Sequence, residues 1–107
     1  MTSRVSTRKT TAKYRLRFVP DAWREWQALD GSVKQALKPL LAKRLQNPHV
    51  PGAQLHRELA GCYKIKLFKQ GCRLVYMVED DELLVLVLAV GKRENNTAYQ
   101  VAVKRIK

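Results

Sequence analysis

The segment from Leu83 to Val90 reads LLVLVLAV and contains no polar side chain. A strand with one face in water alternates apolar and polar residues, so a strand without a polar face must be covered on both sides. The segment is also far shorter than the roughly 20 apolar residues that a membrane-spanning helix requires. It therefore predicts the central strand of a sheet, with a hydrogen-bonded neighbour along each edge.

Three further segments have the alternating pattern that is typical of half-buried strands. Residues 63–68 and 72–78 form a predicted hairpin, which the acidic turn at residues 79–82 joins to the central strand. Residues 14–19 are the only other segment with a strand pattern. We therefore predict that the central strand lies between the hairpin and this N-terminal strand.

The sequence predicts three helices around this sheet. The first opens at Pro20 and carries Trp23 and Trp26 on an apolar face, which places both tryptophans in the core. The second is capped by Ser32 and has apolar residues at spacings of three and four, and the third lies near the C-terminus. The order β-α-α-β-β-β-α predicts an α+β fold, in which helices pack on a small, mostly antiparallel four-stranded sheet.

The length of 107 residues suffices for one compact domain. Residues 1–13 are rich in Ser, Thr, Arg and Lys and have almost nothing to bury, so they predict a basic flexible arm. Residues 14–107 are predicted to form the single domain. The arm has no apolar segment of the kind that follows the charges of a secretory signal, so we expect a cytoplasmic protein.

Positive charge dominates the composition. The chain has 21 lysines and arginines against 9 acidic residues, a net charge of +12. On so small a surface, this charge predicts strong attraction to a polyanion. Nucleic acid, an acidic protein and an anionic membrane are the candidate partners.

The cysteines and histidines do not predict a metal site or a cofactor. Cys62 and Cys72 start the two strands of the hairpin at opposite ends, about 20 Å apart, which is too far for a disulfide. His49 and His56 are the only imidazoles, and the spacing of these four residues is not that of a zinc site. Because nothing directs the two histidines to one phosphate, we expect solvated loop residues rather than a nuclease pair.

The hairpin places three cations on its outer face. If Ile65 and Leu74 both face the core, Lys64, Lys66 and Arg73 all lie on the opposite face. Two loop lengths satisfy this condition: a two-residue turn, which opposes residues 67 and 74, and a four-residue turn, which opposes Lys66 and Arg73.

Phosphate is a suitable partner for these cations. Like charges on neighbouring strands repel unless an anion approaches them, and residues 63–78 contain no Asp or Glu. A second basic pair, Lys92 and Arg93, directly follows the central strand. Together they predict a cationic surface suited to a nucleic acid backbone.

Four short motifs resemble a known family. The combination of YKIKL, GCRLVY, VGKRE followed by a tyrosine, and AVKRI is similar to the RelE family of bacterial toxins from type II toxin–antitoxin systems. The resemblance spans residues 14–107 and implies the same element order. It also implies a metal-independent endoribonuclease, or mRNA interferase, that enters the ribosomal A site, cuts mRNA there and inhibits translation.

The resemblance also implies functional residues, which can be carried over position by position. Five positions would be catalytic: Lys64 and Lys66 of YKIKL, Arg73 of CRLVY, Arg93 of GKRE, and Tyr99. Lys92 would contact RNA together with Lys64 and Arg73.

In the implied reaction, the 2′-hydroxyl of the RNA attacks the adjacent phosphorus and leaves a cyclic phosphate and a 5′-hydroxyl. Lys66 or Tyr99 would be the base, because neighbouring cations favour the deprotonated form of either group. The guanidinium groups of Arg73 and Arg93 would stabilise the charge on phosphorus, since they keep their protons.

The implied partners are a RelB-like antitoxin and the 70S ribosome with its mRNA. Operator DNA would be bound only through the antitoxin complex, and no membrane would be involved. Two alternatives remain open: a non-catalytic basic module that binds RNA or DNA, and a ParE-like toxin that poisons DNA gyrase.

Overall fold

The structure is a computed structural model that describes residues 13–92 and 97–106. Its elements follow the predicted order: β1 (Arg15–Phe18), α1 (Pro20–Ala28), α2 (Gly31–Gln46), β2 (Cys62–Leu67), β3 (Cys72–Glu79), β4 (Leu84–Lys92) and α3 (Thr97–Ile106). Two single 3₁₀ turns, Arg57–Leu59 and Asp80–Glu82, precede β2 and β4. The predicted arm, apart from Lys13, lies outside the described residues.

The four strands form one sheet in the order β1-β4-β3-β2. β4 pairs antiparallel with β3 and parallel with β1, so it has a neighbour along each edge. The predicted position of the apolar segment between the hairpin and the N-terminal strand is confirmed. The sheet is mixed because the two helices lead from β1 to β2 at the far edge, and the antiparallel meander then brings β4 beside β1 in the same direction.

Hydrophobic clusters cover both faces of the sheet. The first cluster joins the sheet to α1 and α2 and is centred on the fully buried Leu37, Leu74 and Tyr76. The second joins the other face to α3 through Ala98 and Ala102. β4 contributes to both clusters, which explains why its sequence has no polar face.

The hairpin adopts the longer of the two allowed loops. Lys66 lies opposite Arg73 and Leu67 lies opposite Cys72, which leaves residues 68–71 as a four-residue loop. Gly71 has a φ of +62°, a conformation that glycine adopts without steric cost. The predicted sharing of one face by the hairpin cations is confirmed.

A β-bulge interrupts the pairing of β3 with β4. Val75 lies opposite Ala89, whereas the next residue, Tyr76, lies opposite Val87. Leu88 is therefore an extra residue without a partner on β3. The bulge lets two successive residues, Leu88 and Ala89, both join the cluster beneath α3.

Two local predictions need correction. α2 begins at Gly31 and not after a cap at Ser32, because the carbonyl of Asp30 already accepts the first helical hydrogen bonds. Trp26 is buried as predicted, but Trp23 is 46% exposed. The reason is that the apolar stripe of α1 continues from Ala22 to Trp26, whereas Trp23 packs edge-on against Phe18 at the margin.

Both cysteines are free, in keeping with their predicted separation along the hairpin, and both are buried. Burial raises the pKa of the Cys62 thiol to about 11. Within residues 13–92 and 97–106, no three His, Cys, Asp or Glu side chains are grouped as a metal site would require. The helices in those ranges are all too short or too polar to cross a membrane.

Candidate active site

The hairpin cations lie on the face of the sheet that carries α3. Lys64 lies opposite Val75, which belongs to the cluster beneath this helix. Lys66 is two residues further along β2 and lies opposite Arg73. The position opposite Arg73 on β4 is Gly91, which has no side chain. The strands therefore present a row of cations beside α3, and no side chain of β4 lies opposite Arg73.

The helix α3 brings Tyr99 to this row. Ala98 and Ala102 anchor α3 on the sheet, since they are 4% and 0% exposed. The guanidinium carbon of Arg73 lies 4.8 Å from the centre of the Tyr99 ring, which is a cation–π contact. Two predicted site residues that are distant in sequence thus form an Arg73–Tyr99 pair.

The hydroxyl of Tyr99 is buried, and among the described residues it has no hydrogen-bond partner. Burial raises the pKa of Tyr99, and the nearby charge of Arg73 lowers it by less. Desolvation thus acts against the phenolate that the neighbouring cations were expected to favour, and it outweighs the effect of Arg73. At neutral pH this group is a phenol that has a hydrogen bond to give.

An exposed aromatic ring that is not among the predicted site residues lies beside the cations. Phe68 is 69% exposed in the hairpin loop, and the amine of Lys66 lies 5.9 Å from the centre of its ring. Exposed rings next to cations are typical of surfaces on which nucleic acid bases stack. The signal was a large apolar residue inside a polar turn.

The two remaining predicted residues are placed differently. Lys92 ends β4 opposite Cys72, a residue of the cluster beneath α1 and α2, so the register puts it on the other face from Arg73. Its side chain is exposed at the end of the sheet. Arg93 lies outside the described residues. The structure thus brings together Lys64, Lys66, Arg73 and Tyr99.

A second arginine–tyrosine pair supports the hairpin from the opposite face. Arg44 of α2 donates hydrogen bonds to the hydroxyl of Tyr76 at 2.9 Å and to the carbonyl of Lys64 at 3.1 Å. The Tyr76 hydroxyl in turn donates to the carbonyl of Pro48 at 2.8 Å. This Arg44–Tyr76 pair fixes the backbone of β2 at Lys64. No pattern in the sequence connects these residues.

His49 is exposed, as predicted for a loop histidine, but it is also tied to the sheet. One ring nitrogen lies 2.8 Å from a carboxylate oxygen of Asp80, and the other lies 3.0 Å from the hydroxyl of Tyr63. Tyr14 donates a hydrogen bond to the same Asp80 oxygen at 2.7 Å. These bonds lower the pKa of Asp80, with the bond from Tyr14 the larger cause.

A family model matches most of the chain. Residues 16–97 match the model described as the ParE toxin of the type II toxin–antitoxin system parDE. That match extends from the second residue of β1 over α1, α2 and the other three strands. It ends at the first residue of α3 and does not include Tyr99.

Relatives with a different name match a longer part of the chain. The mRNA interferase toxin RelE of Escherichia coli K12 is 44% identical over 93 residues, which cover 87% of this chain and 97% of that protein. The free-state structure of an arginine-substituted E. coli RelE is 42% identical and covers 89% of this chain and 99% of that one, with a TM-score of 0.80. In the intact E. coli RelBE toxin–antitoxin complex, the matched chain is 41% identical, with a TM-score of 0.70 and coverage of 77% and 99%.

Proposed function

The chain belongs to the ParE and RelE family of type II toxin–antitoxin toxins, and on this premise we propose that it is a ribosome-dependent endoribonuclease that cuts mRNA. The observation that carries the proposal is the Arg73–Tyr99 pair beside Lys66. Arg73 supplies a fixed positive charge, Lys66 supplies an amine, and Tyr99 supplies a hydroxyl that can donate a hydrogen bond. A surface that only bound phosphate would need the first of these alone.

The reaction requires three things at one phosphate. A base must take the proton of the RNA 2′-hydroxyl, positive charge must stabilise the five-coordinate phosphorus, and the departing 5′-oxygen must gain a proton. We assign the base to Lys66 and charge stabilisation to Arg73, helped by Lys64 and Arg93. The bond from phosphorus to the 5′-oxygen breaks as the bond to the 2′-oxygen forms, which leaves a cyclic phosphate.

Tyr99 takes the role of a hydrogen-bond donor in this proposal. Its raised pKa keeps the proton on the hydroxyl at neutral pH, so it is suited to a phosphate oxygen or to the departing oxygen. Its ring, which lies against Arg73, would also stack on one nucleobase of the RNA. The exposed ring of Phe68 would stack on a second base beyond Lys66, and Lys92 would contact the RNA backbone at the end of the sheet.

Dependence on the ribosome follows from the weakness of such a site. It has no histidine pair, and a lysine is an inefficient base at neutral pH. An mRNA that the ribosome holds in an attack geometry reacts faster, because alignment can contribute on the order of 7 kcal/mol or more. The net charge of +12 would attract the toxin to ribosomal RNA in the A site. This substrate also implies a cytoplasmic location.

An antitoxin is the second proposed partner. The E. coli relative was crystallised with its RelB antitoxin, and a protein as basic as this one calls for an acidic inhibitor. We propose that a RelB-like antitoxin covers the cations beside α3 or displaces that helix. Operator DNA would then be bound only through the complex.

Cleavage of mRNA on programmed ribosomes tests the proposal. Purified toxin is incubated with the ribosomes, and new mRNA 5′ ends are mapped for wild type, Lys66→Met and Lys69→Ala. We expect new ends in the A site, lost by at least a hundredfold in Lys66→Met, which removes the proposed base. Lys69 is an exposed lysine of the loop that follows β2, so its variant controls for the loss of charge alone.

Two results would contradict the proposal. Ribosome binding without new mRNA ends would leave a non-catalytic module. The ParE name of the family model favours a gyrase poison as the second candidate, so the same preparations enter a DNA supercoiling assay. If supercoiling is inhibited while the mRNA stays intact, the protein is a gyrase poison and not an endoribonuclease.

A further inference from the structure

Part of the outer edge of β4 extends beyond its neighbour. The pairing of β1 ends at Phe18, opposite Val87, although β4 continues to Lys92. In the described ranges, no strand covers β4 beyond that point. An exposed strand edge leaves backbone donors and acceptors that something must satisfy.

Two side chains take the place of the missing strand. Arg105 of α3 donates a hydrogen bond to the carbonyl of Leu88 at 2.8 Å, and Glu25 of α1 accepts one from the N–H of Val90 at 3.2 Å. The carbonyl of Leu88 belongs to the bulge, which turns this residue out of the β3 pairing. Each side chain therefore supplies what a longer β1 would have supplied.

Glu25 and Arg105 also bind each other. Two guanidinium nitrogens donate to the two carboxylate oxygens at 3.0 and 2.8 Å, a two-pronged ion pair. The side chains are only 33% and 19% exposed, so water screens this pair less than a surface pair. Because α1 and α3 lie on opposite faces, the pair reaches around the edge of the sheet and ties the two layers together.

The two ends of α3 are held by different contacts. Tyr99 lies in its first turn, against Arg73, and Arg105 lies in its last turn, against Glu25. A ten-residue helix is marginal in water without tertiary contacts. The attachment of its last turn therefore affects how well the first turn is held.

We infer that Glu25 and Arg105 are positioning residues for the reaction: their ion pair on the β4 edge holds α3 in place and thereby sets Tyr99 over Arg73. The effect on cleavage rests on the function proposed above. The effect on α3 does not, and it can be measured separately. Neither side chain touches the reacting atoms.

Hydrogen exchange tests the structural part. Amide exchange in residues 98–106 is compared between wild type, Glu25→Gln and Arg105→Gln, with β3 as the internal standard. We expect exchange in α3 to rise at least tenfold in both variants while β3 stays protected. Arg24→Gln is the control, since it breaks an ion pair of the same helix α1 whose side chains are 57–74% exposed, and it should leave exchange in α3 unchanged.

Cleavage kinetics test the functional part. Both variants should lower kcat on the order of tenfold, with KM for programmed ribosomes within twofold, because the helix and not the binding surface is altered. The double variant Glu25→Gln/Arg105→Gln should be no worse than either single variant, since both remove one interaction. Arg105→Lys keeps the charge but not the two-pronged bond, and should recover part of the rate.

Each result bears on the inference. Unchanged exchange in α3, or single effects that multiply in the double variant, would overturn it. If Glu25→Gln lost protection in β3 as well, Arg105→Lys would take its place in the exchange measurement, under the same criteria. A wild type without cleavage would remove the proposed function, while the exchange result would still decide whether the ion pair holds α3.

Discussion

Two arginine–tyrosine pairs lie on opposite faces of the same hairpin, and they differ in the hydrogen bonding of the tyrosine hydroxyl. The hydroxyl of Tyr76 accepts a bond from Arg44 and donates one to the carbonyl of Pro48, in a fully buried site. In the other pair, Arg73 lies over the ring of Tyr99, and the hydroxyl has no partner among the described residues.

The two hydroxyls therefore differ in what they contribute to the fold. A satisfied buried hydroxyl contributes to stability, because its loss leaves its partners without hydrogen bonds. An unsatisfied buried hydroxyl contributes no such bond, which agrees with the donor role proposed for Tyr99. Burial raises the pKa of both tyrosines, so the titration of these groups does not distinguish them. The hydrogen bonds do.

The largest expected effect is on cleavage. Tyr99→Phe should reduce kcat for mRNA on programmed ribosomes by at least a hundredfold, because the variant keeps the ring over Arg73 but removes the hydroxyl. Tyr76→Phe, the matched change on the other face, should keep cleavage within about threefold at a temperature where it is folded. Equal cleavage rates for the two variants would show that the Tyr99 hydroxyl has no special part in the reaction.

The second effect, on stability, is expected to have the opposite order. Tyr76→Phe should lower the free energy of unfolding by about 1–3 kcal/mol, since it leaves the Pro48 carbonyl and Arg44 without their partner. Tyr99→Phe should change it by less than about 0.5 kcal/mol, because no hydrogen bond within the described chain is lost. Urea denaturation of both variants measures this. A larger loss for Tyr99→Phe would place its hydroxyl in a structural role.

The smallest effect concerns Asp80, at the end of the sheet beyond the Arg44–Tyr76 pair. Its pKa is lowered by the bonds from Tyr14 and then from His49. The folded state therefore releases this proton more readily than the unfolded state, which stabilises the fold above about pH 4 and ceases to do so as the pH falls further.

Unfolding measured between pH 6 and pH 3 checks this sign. Wild type should lose more stability over that interval than Asp80→Asn, which cannot titrate. Asp81→Asn, a change at the next position of the same exposed turn, should behave like wild type. A steeper loss in Asp80→Asn than in wild type would show that the carboxylate is not stabilising.

The sequence predicts the sheet better than it predicts the site. The apolar pattern of residues 83–90 determines the central strand, because no other position in a sheet tolerates it. Alternation places Lys64, Lys66 and Arg73 on one face, but it does not choose between the two loop lengths. That choice depends on the conformation of Gly71 and its loop, which alternation does not encode.

The features that the sequence does not predict depend on contacts between segments that are distant along the chain. The pKa of Tyr99 follows from the depth at which α3 buries it, and no neighbour in sequence reveals this. The ion pair of Glu25 with Arg105 exists because β1 ends early and β4 bulges at Leu88. Neither event leaves a pattern that a single sequence displays.

The parallel pairing of β1 with β4 has a consequence for how the protein is made. Arg15 pairs with Leu84, so β1 has no neighbour in the sheet until residues 84–87 have been synthesised. Contacts so distant along the chain form late and slowly. The sheet is thus completed only after β4 has been made, and α3 packs on it later still.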